Sequence, residues 1–298
     1  MIDYILPFFF LASGMTANKL ILKSWSPGFL VAIRMLSAGV ILLSIALFKG
    51  KNDFIQRIKK QWLYLLLLSS FAAYIPALLK AYAFKHTLSS KVALINSLDP
   101  FLTALYMYVL FSERLTWKKW CGILLGFTGS LVIIFSTSAA DANELLGISM
   151  GELAAFGTVI ISRYGWIKIQ QLLKSQAFSV KEINGITMFC AGIYSLIGTL
   201  VFTPEAFKAS LDLYNLSLLA YTIVGGNLIG YTLYSQLLKK HSAIFVALAG
   251  MTTPLFVYIF GWLVVGEKLY PSFWISSAIT FAGLLLFYRD ELKEALAQ

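Results

Sequence analysis

The sequence predicts an all-α integral membrane protein, with ten transmembrane helices arranged as two inverted five-helix repeats. Three observations predict it. The 298 residues are 59% hydrophobic and only 13% charged, with mean hydropathy +0.78, too apolar for the surface of a water-soluble domain. Apolar stretches of about 20 residues, the length that carries a helix across roughly 30 Å of hydrocarbon, fill almost the whole chain. The second half also repeats the first at a constant offset of 154 residues.

The apolar stretches lie at about 4–22, 28–48, 62–83, 89–111, 117–136, 149–169, 185–203, 217–238, 243–265 and 271–288. They are unbroken runs; barrel strands would alternate polar and apolar at every second residue, so helices are expected. The offset carries Ala93-Leu94, Pro100, Glu113 and Leu115 onto Ala247-Leu248, Pro254, Glu267 and Leu269. It also carries Ile75 onto Ile229, Leu79 onto Leu233, Lys85 onto Lys239, Trp120 onto Trp274, Phe127 onto Phe281 and Gly129 onto Gly283. Each copy contains five spans. Five is odd, so the second copy enters the membrane from the opposite side. The two units are 4–136 and 149–288, joined by a polar segment, 137–148, that carries no cation. The basic stretch 49–61 is expected to be the longest inner loop, lying at the headgroup surface.

Net charge +10 raises the question of nucleic acid, but the cations are placed by topology. With the N-terminus inside, fifteen Lys and Arg fall in inner loops and the tail, six in outer loops, and three (Arg34, Lys80, Arg163) within spans. That bias is what the positive-inside rule expects of a multi-pass protein of the bacterial inner (cell) membrane with cytoplasmic N- and C-termini. The bilayer is therefore the expected partner, and nucleic acid is not. Cys121 and Cys190 lie in different spans and read as packing residues, without a disulfide or metal. Met1-Ile2-Asp3 lacks the positive region of a cleaved signal peptide.

Spans four and nine each hold a proline near the middle, Pro100 and Pro254. Proline donates no hydrogen bond to the carbonyl four residues earlier, here Asn96 and Gly250. Freed carbonyls inside hydrocarbon are tolerated only against protein or water. One such proline reads equally well as a packing kink; the matched pair in an inverted repeat favours a cavity at the midplane. Asp99 lies about 15 Å into its span, at a rise of roughly 1.5 Å per residue. A charge there costs at least ~2.5 kcal/mol on insertion scales, so it must face a wet cavity or a basic partner. Asn96, Asp99 and Thr103 follow i, i+3, i+7 and share one helical face. Lys80, Arg34 and Arg163 lie near span ends, where snorkelling to water is the plainer reading. Asn227, Tyr231 and Tyr234 form an i, i+4, i+7 stripe on span eight, and Lys80 is the repeat partner of Tyr234. Such a stripe is either a ligand platform or packing. Ser13, Thr16, Thr158 and Ser162 suit helix contact, and Glu113 and Glu267 suit capping at the interfaces.

The sequence holds no phosphate-binding G-x-x-x-x-G-K-[ST], no H-E-x-x-H and no G-x-S-x-G. No enzyme, cofactor or metal is expected.

The Ala-Leu pairs separated by five residues from a proline, with Ser112-Glu113-Arg114-Leu115 and Gly266-Glu267-Lys268-Leu269, resemble the EamA type of the drug/metabolite transporter superfamily. The likeness covers essentially the whole chain as two units. It implies a basket of spans one, three, four, six, eight and nine around a central cavity, with two, five, seven and ten outside. On that arrangement Arg34, on span two, is a doubtful ligand. The resemblance further implies alternating access, often exporting or exchanging amino acids and related metabolites.

The expected function is a secondary transporter of a small polar or zwitterionic metabolite, an amino acid or a derivative such as S-adenosylmethionine. Asp99 would contact an ammonium or sulfonium group or carry a coupled proton. Lys80 or Arg163 would receive a carboxylate, and Tyr231 and Tyr234 would stack on a ring; Asn96 and Asn227 complete the candidate site. Coupling would run through protons or a counter-substrate. An organic-anion or phosphate-ester antiporter is the nearest rival, since interior cations outnumber acids, and a non-transporting scaffold subunit is the alternative of another class.

Overall fold

A computed structural model of the chain describes residues 2–49, 51–111, 116–137, 149–240, 246, 250, 252–268, 270–287 and 289. Among these, all regular structure is helical, as the unbroken apolar runs require. Glu113 and its Ser112–Leu115 motif, the join at 138–148, His241, Ala247-Leu248 and Leu269 lie outside the described residues.

The first half comprises α1 (Ile2–Ile21), α2 (Pro27–Lys49), α3 (Lys51–Ser69), a π-helical turn (Ser70–Tyr74), α4 (Ile75–His86), α5 (Ser89–Asn96), α6 (Asp99–Phe111) and α7 (Trp117–Thr137). The second comprises α8 (Met150–Lys174), α9 (Val180–Phe202), a 3₁₀ turn (Pro204–Lys208), α10 (Leu213–Tyr221), a π segment (Thr222–Gly230), α11 (Tyr231–Lys240), α12 (Thr252–Phe260), a π turn (Gly261–Val265) and α13 (Pro271–Phe287). Local chemistry sets several of these boundaries. Pro27 opens α2, where its missing N–H has no intrahelical partner to lose. Ser149 with Glu152, and Ser179 with Glu182, form capping boxes that start α8 and α9.

Four segments are long and apolar enough to cross a membrane: Pro27–Phe48, Phe54–His86, Val180–Phe202 and Leu213–Lys240. Ile5–Ile21, Thr252–Val265 and Pro271–Phe287 are shorter apolar helices. Two of the sequence expectations need correction. The stretch 49–61 is helical from Lys51, and its change of direction falls at Gln61 (φ −126°, ψ 18°) rather than in a loop. Arg57 ties this helix down: its guanidinium donates to the Glu182 carboxylate (2.9 Å) and the Ala177 carbonyl (2.6 Å) and lies over the Phe54 and Phe178 rings. The second correction concerns Pro100. It does not kink a continuous helix. Span four is two helices, α5 and α6, separated by Ser97-Leu98, and Pro100 occupies the first turn of α6, where proline is tolerated. Pro254 likewise stands in the first turn of α12.

α2 lies along α9 and α7 along α13, and α4 lies against α8. Glycines bring the first two pairs together. A Cβ on Gly39 would stand 2.4 Å from the Phe189 backbone nitrogen, and one on Gly122 would stand 2.6 Å from the Gly283 carbonyl oxygen. Small residues let helix backbones approach where the surrounding lipid offers no hydrophobic gain from association. Two of the three π stretches correspond: Ser70–Tyr74 moved by 154 residues falls within Thr222–Gly230, whereas Gly261–Val265 has an α-helical counterpart in α6. Gly165 of α8 packs on the first of them, with the Ala72 backbone filling the place a Cβ would take. Gly39→Ala should therefore cost about 1–3 kcal/mol by overpacking. The check is the thermal unfolding midpoint of the detergent-purified protein, which should fall; an unchanged midpoint would rule out the close α2–α9 contact.

Candidate functional site

The break in span four is where polarity gathers. At the end of α5 the Ser97 N–H reaches Ala93 and Leu94 carbonyls (3.1 and 3.0 Å) and the Leu98 N–H reaches Ile95 (3.1 Å), tightening the last turn before the chain restarts. Asp99 is the first residue of α6, so its carboxylate lies at the positive end of a helix dipole. Its other neighbour is a cation. Arg163 Nε stands 3.0 Å from Asp99 Oδ1, yet that N–H is not aligned for a hydrogen bond and Nε has no hydrogen-bond partner. The contact is Coulombic and one-sided, and a third of the Asp99 side-chain surface remains exposed.

Two cavities meet at this pair. One, of about 90 Å³, is lined by Arg34, Lys80, Asp99, Arg163 and Asn184 together with apolar groups from α1, α2 and α4. The other, of about 160 Å³, is lined by Asn96, Asp99, Pro100, Thr103, Tyr234 and Pro254 among others. Leu11, Met15, Lys80, Asp99, Arg163, Trp166 and Tyr231 belong to both walls. Even together the lobes fall short of the roughly 300 Å³ from which small-molecule pockets usually start, so a metabolite-sized ligand would need both of them and some widening of their walls.

The aromatic wall is built from two helices. Trp166, one turn beyond Arg163 on α8, stacks on Tyr231 (6.0 Å between centroids, 15° between planes) and meets Tyr234 edge-on at 5.0 Å. Phe8 closes the far side of Tyr234 at 6.0 Å. Asn184 of α9 anchors this wall: its amide donates to the Tyr231 carbonyl (3.3 Å) and its oxygen accepts from the Ser235 hydroxyl (3.1 Å). On the opposite lip the Asn96 amide nitrogen is buried without a partner and remains available to a ligand.

Of the residues singled out from the sequence, Asp99, Asn96, Lys80, Arg163, Tyr231, Tyr234, Pro100 and Pro254 all line the cavities. Asn227 does not. It is fully buried, and its amide points to Met35 Sδ (3.3 Å) and Met188 Sδ (3.8 Å). The π segment explains the difference: its i→i+5 bonds insert an extra residue and rotate Asn227 off the face shared by Tyr231 and Tyr234. Arg34 departs from expectation in the other direction. It lines the smaller cavity although it belongs to α2, because α2 packs on α4 and on the 222–230 π segment as well as on α9. Trp166 was missed; an Arg163, Trp166, Gln170 stripe at i, i+3, i+7 was the signal for it. Lys80 forms no ion pair among the described residues, which leaves its ammonium available to an anionic group.

One end of the bundle is latched. Glu267, following the π turn of α12, pairs with Lys19 of α1 (2.9 Å) and accepts the Ser89 N–H at the start of α5 (2.9 Å). Lys19 also donates to the Thr87 carbonyl, and Lys91 pairs with the fully buried Glu152 of the α8 capping box. The end of α1, the starts of α5 and α8 and the segment after α12 are thereby joined.

The chain belongs to the EamA-like transporter family, matched over residues 2–135 and again over 149–289. It is a membrane transporter rather than an enzyme. A protein of Chlamydia muridarum described as an S-adenosylmethionine/S-adenosylhomocysteine transporter is 29% identical over 291 residues, spanning 96% of this chain and 90% of the relative. A protein of Chlamydia trachomatis with the same description is 29% identical over 96% of this chain and 88% of its own length. A crystal structure superposes with TM-score 0.70, covering 95% of this chain and 94% of its own at 15% identity, a likeness of fold alone.

The latch predicts that Glu267→Ala opens the end it closes. A cysteine placed by Met15→Cys on the cavity wall should then react faster with an impermeant thiol reagent added to that face, measured as the labelling rate in vesicles. An unchanged rate would show that the Lys19–Glu267 pair does not control access.

Proposed function

We propose that this protein exchanges S-adenosylmethionine for S-adenosylhomocysteine, or metabolites of the same build, across the bacterial inner membrane. The observation that carries the reading is the convergence of one carboxylate, three cations and an aromatic wall on a single two-lobed cavity at a helix break. An amino acid joined to a nucleoside needs each of these. Its carboxylate would be received by Lys80 or Arg34, its ammonium or sulfonium by Asp99, and its base by the Trp166–Tyr231 face. The relatives described as S-adenosylmethionine/S-adenosylhomocysteine transporters match over nearly the whole chain, which supports the same choice.

Ten crossings in two oppositely inserted halves, 4–136 and 149–288, account for this arrangement. Supporting them are the correspondence of the π segments, the proline at equivalent helix starts, and the parallel pairings α2–α9 and α7–α13. The excess of Lys and Arg in alternate loops supports cytoplasmic termini, and with that orientation the Glu267 latch would lie on the outer face. Rocking of one half against the other would then alternate between the latched state and one open outward, with the counter-substrate returning the carrier. The organic-anion reading retains one favourable observation, the three cations facing a lone carboxylate.

Counterflow in proteoliposomes separates these readings. Internal S-adenosylhomocysteine should accelerate entry of labelled S-adenosylmethionine, whereas stimulation only by phosphate esters or dicarboxylates would favour the anion carrier. A scaffold would show neither. Trp166→Ala should weaken binding of either nucleoside by about 1–3 kcal/mol, the usual worth of a base stacked on an aromatic ring. Titration of the purified transporter checks this, and unaltered affinity would remove the ring from the site.

A further inference from the structure

Exchange of a sulfonium for a thioether poses a charge problem that the cavity answers with its own residue. The two ligands differ by one methyl group and one positive charge, and the charge sits on sulfur. A carboxylate placed to receive the sulfonium is left without a partner when the thioether takes the same place. An unpaired buried charge is strongly unfavourable, so a rigid anionic site would bind the product poorly and stall the cycle. We infer that Arg163 is an internal substitute for the ligand's positive charge: it pairs with Asp99 when the neutral thioether, or no ligand, is bound, and yields that carboxylate to the sulfonium.

The geometry fits a pair made to be broken. Arg163 approaches through Nε at 3.0 Å, without the aligned N–H that a permanent clamp would use, and without the bidentate fork that makes Arg–carboxylate pairs rigid. Asp99 keeps a third of its side-chain surface exposed, and both residues line both lobes, so a ligand group can reach the carboxylate without first unfolding a helix. The guanidinium has somewhere to go: the Tyr234 hydroxyl stands beside it, and Trp166 lies one turn along the same helix, where a cation can rest against a ring face. The two other cations are worse placed for the task. Arg34 lines the smaller lobe alone, and among the described residues neither Lys80 nor Arg34 makes an ion pair with Asp99. This inference rests on the substrate reading above and deepens it by giving one residue control of the ratio between the two ligands.

The test measures that ratio. Full-length protein in lipid nanodiscs is titrated with S-adenosylmethionine and with S-adenosylhomocysteine, for the wild type, Arg163→Gln, Arg163→Lys and Asp99→Asn. Because the pair stands in both the ligand-free and the thioether-bound states, Arg163→Gln should leave S-adenosylhomocysteine affinity nearly unchanged while S-adenosylmethionine binds roughly tenfold or more tightly, and Arg163→Lys should restore the wild-type ratio. Asp99→Asn should shift the ratio the opposite way, weakening the sulfonium ligand most. An equal change in both affinities with Arg163→Gln, or no gain for S-adenosylmethionine over S-adenosylhomocysteine, overturns the inference. If Arg163→Gln fails to fold, Asp99→Asn decides alone, and equal loss of both ligands there overturns it as well. A wild type that binds neither ligand refutes the substrate reading, and the inference falls with it.

Discussion

A helix that stops and restarts within a bundle of apolar helices must have its freed polar groups enclosed, and that constraint organises this molecule. Between Asn96 and Asp99 the regular ladder of span four is interrupted, and the new helix begins with a carboxylate and a proline. Water or protein has to meet those groups, since hydrocarbon cannot. The response of the fold is to surround the break with α1, α4, α8 and α11, and with cations contributed by three different helices. The cavity follows from this enclosure: polar groups that cannot be packed away without loss are left facing one another across a gap.

The devices that hold the enclosure together are of two kinds. Along the flanks, glycine contacts fasten α2 to α9 and α7 to α13 without side-chain interdigitation, giving stiff pairs that tie the first half of the chain to the second. Nearer the centre the backbone is irregular in matched places, with π segments in both long interrupted helices. Regular helices transmit rotation as rigid rods, whereas a π segment holds weaker, wider turns that can reset their phase. The combination of rigid outer pairs and adaptable inner segments suits a carrier whose walls must change their exposure while its flanks stay in register. The ion pairs of Lys19–Glu267 and Lys91–Glu152 hold the ends of the inner helices together in the state described.

Much of the site was legible because the signals were costly ones. Asp99 is an acid in the middle of an apolar run, and no packing role explains a group so expensive to place there. Asn96 and Thr103 followed from its helical face, and Pro100 and Pro254 from their equivalent positions. Tyr231 and Tyr234 were legible as a stripe, but Asn227 was attached to them by assuming a regular 3.6-residue period, which the π segment breaks. Trp166 escaped because a tryptophan in an apolar helix costs nothing and so draws no attention. Arg34 escaped because it was assigned to an outer helix by analogy, whereas α2 reaches the cavity through its contact with α4.

Composition, the span pattern and the 154-residue offset determined by themselves that this chain is a duplicated bundle of membrane helices with a polar locus near Asp99. These are properties of single segments: hydropathy and charge cost are set residue by residue and survive without knowledge of neighbours. Which side chains meet was decided only in three dimensions. The approach of Arg163 to Asp99, the stacking of Trp166 on Tyr231, the withdrawal of Asn227 behind two methionines and the latch from Glu267 to Ser89 each join residues from separate helices. Helix phase and packing fix such pairs, and a single irregular turn is enough to change them.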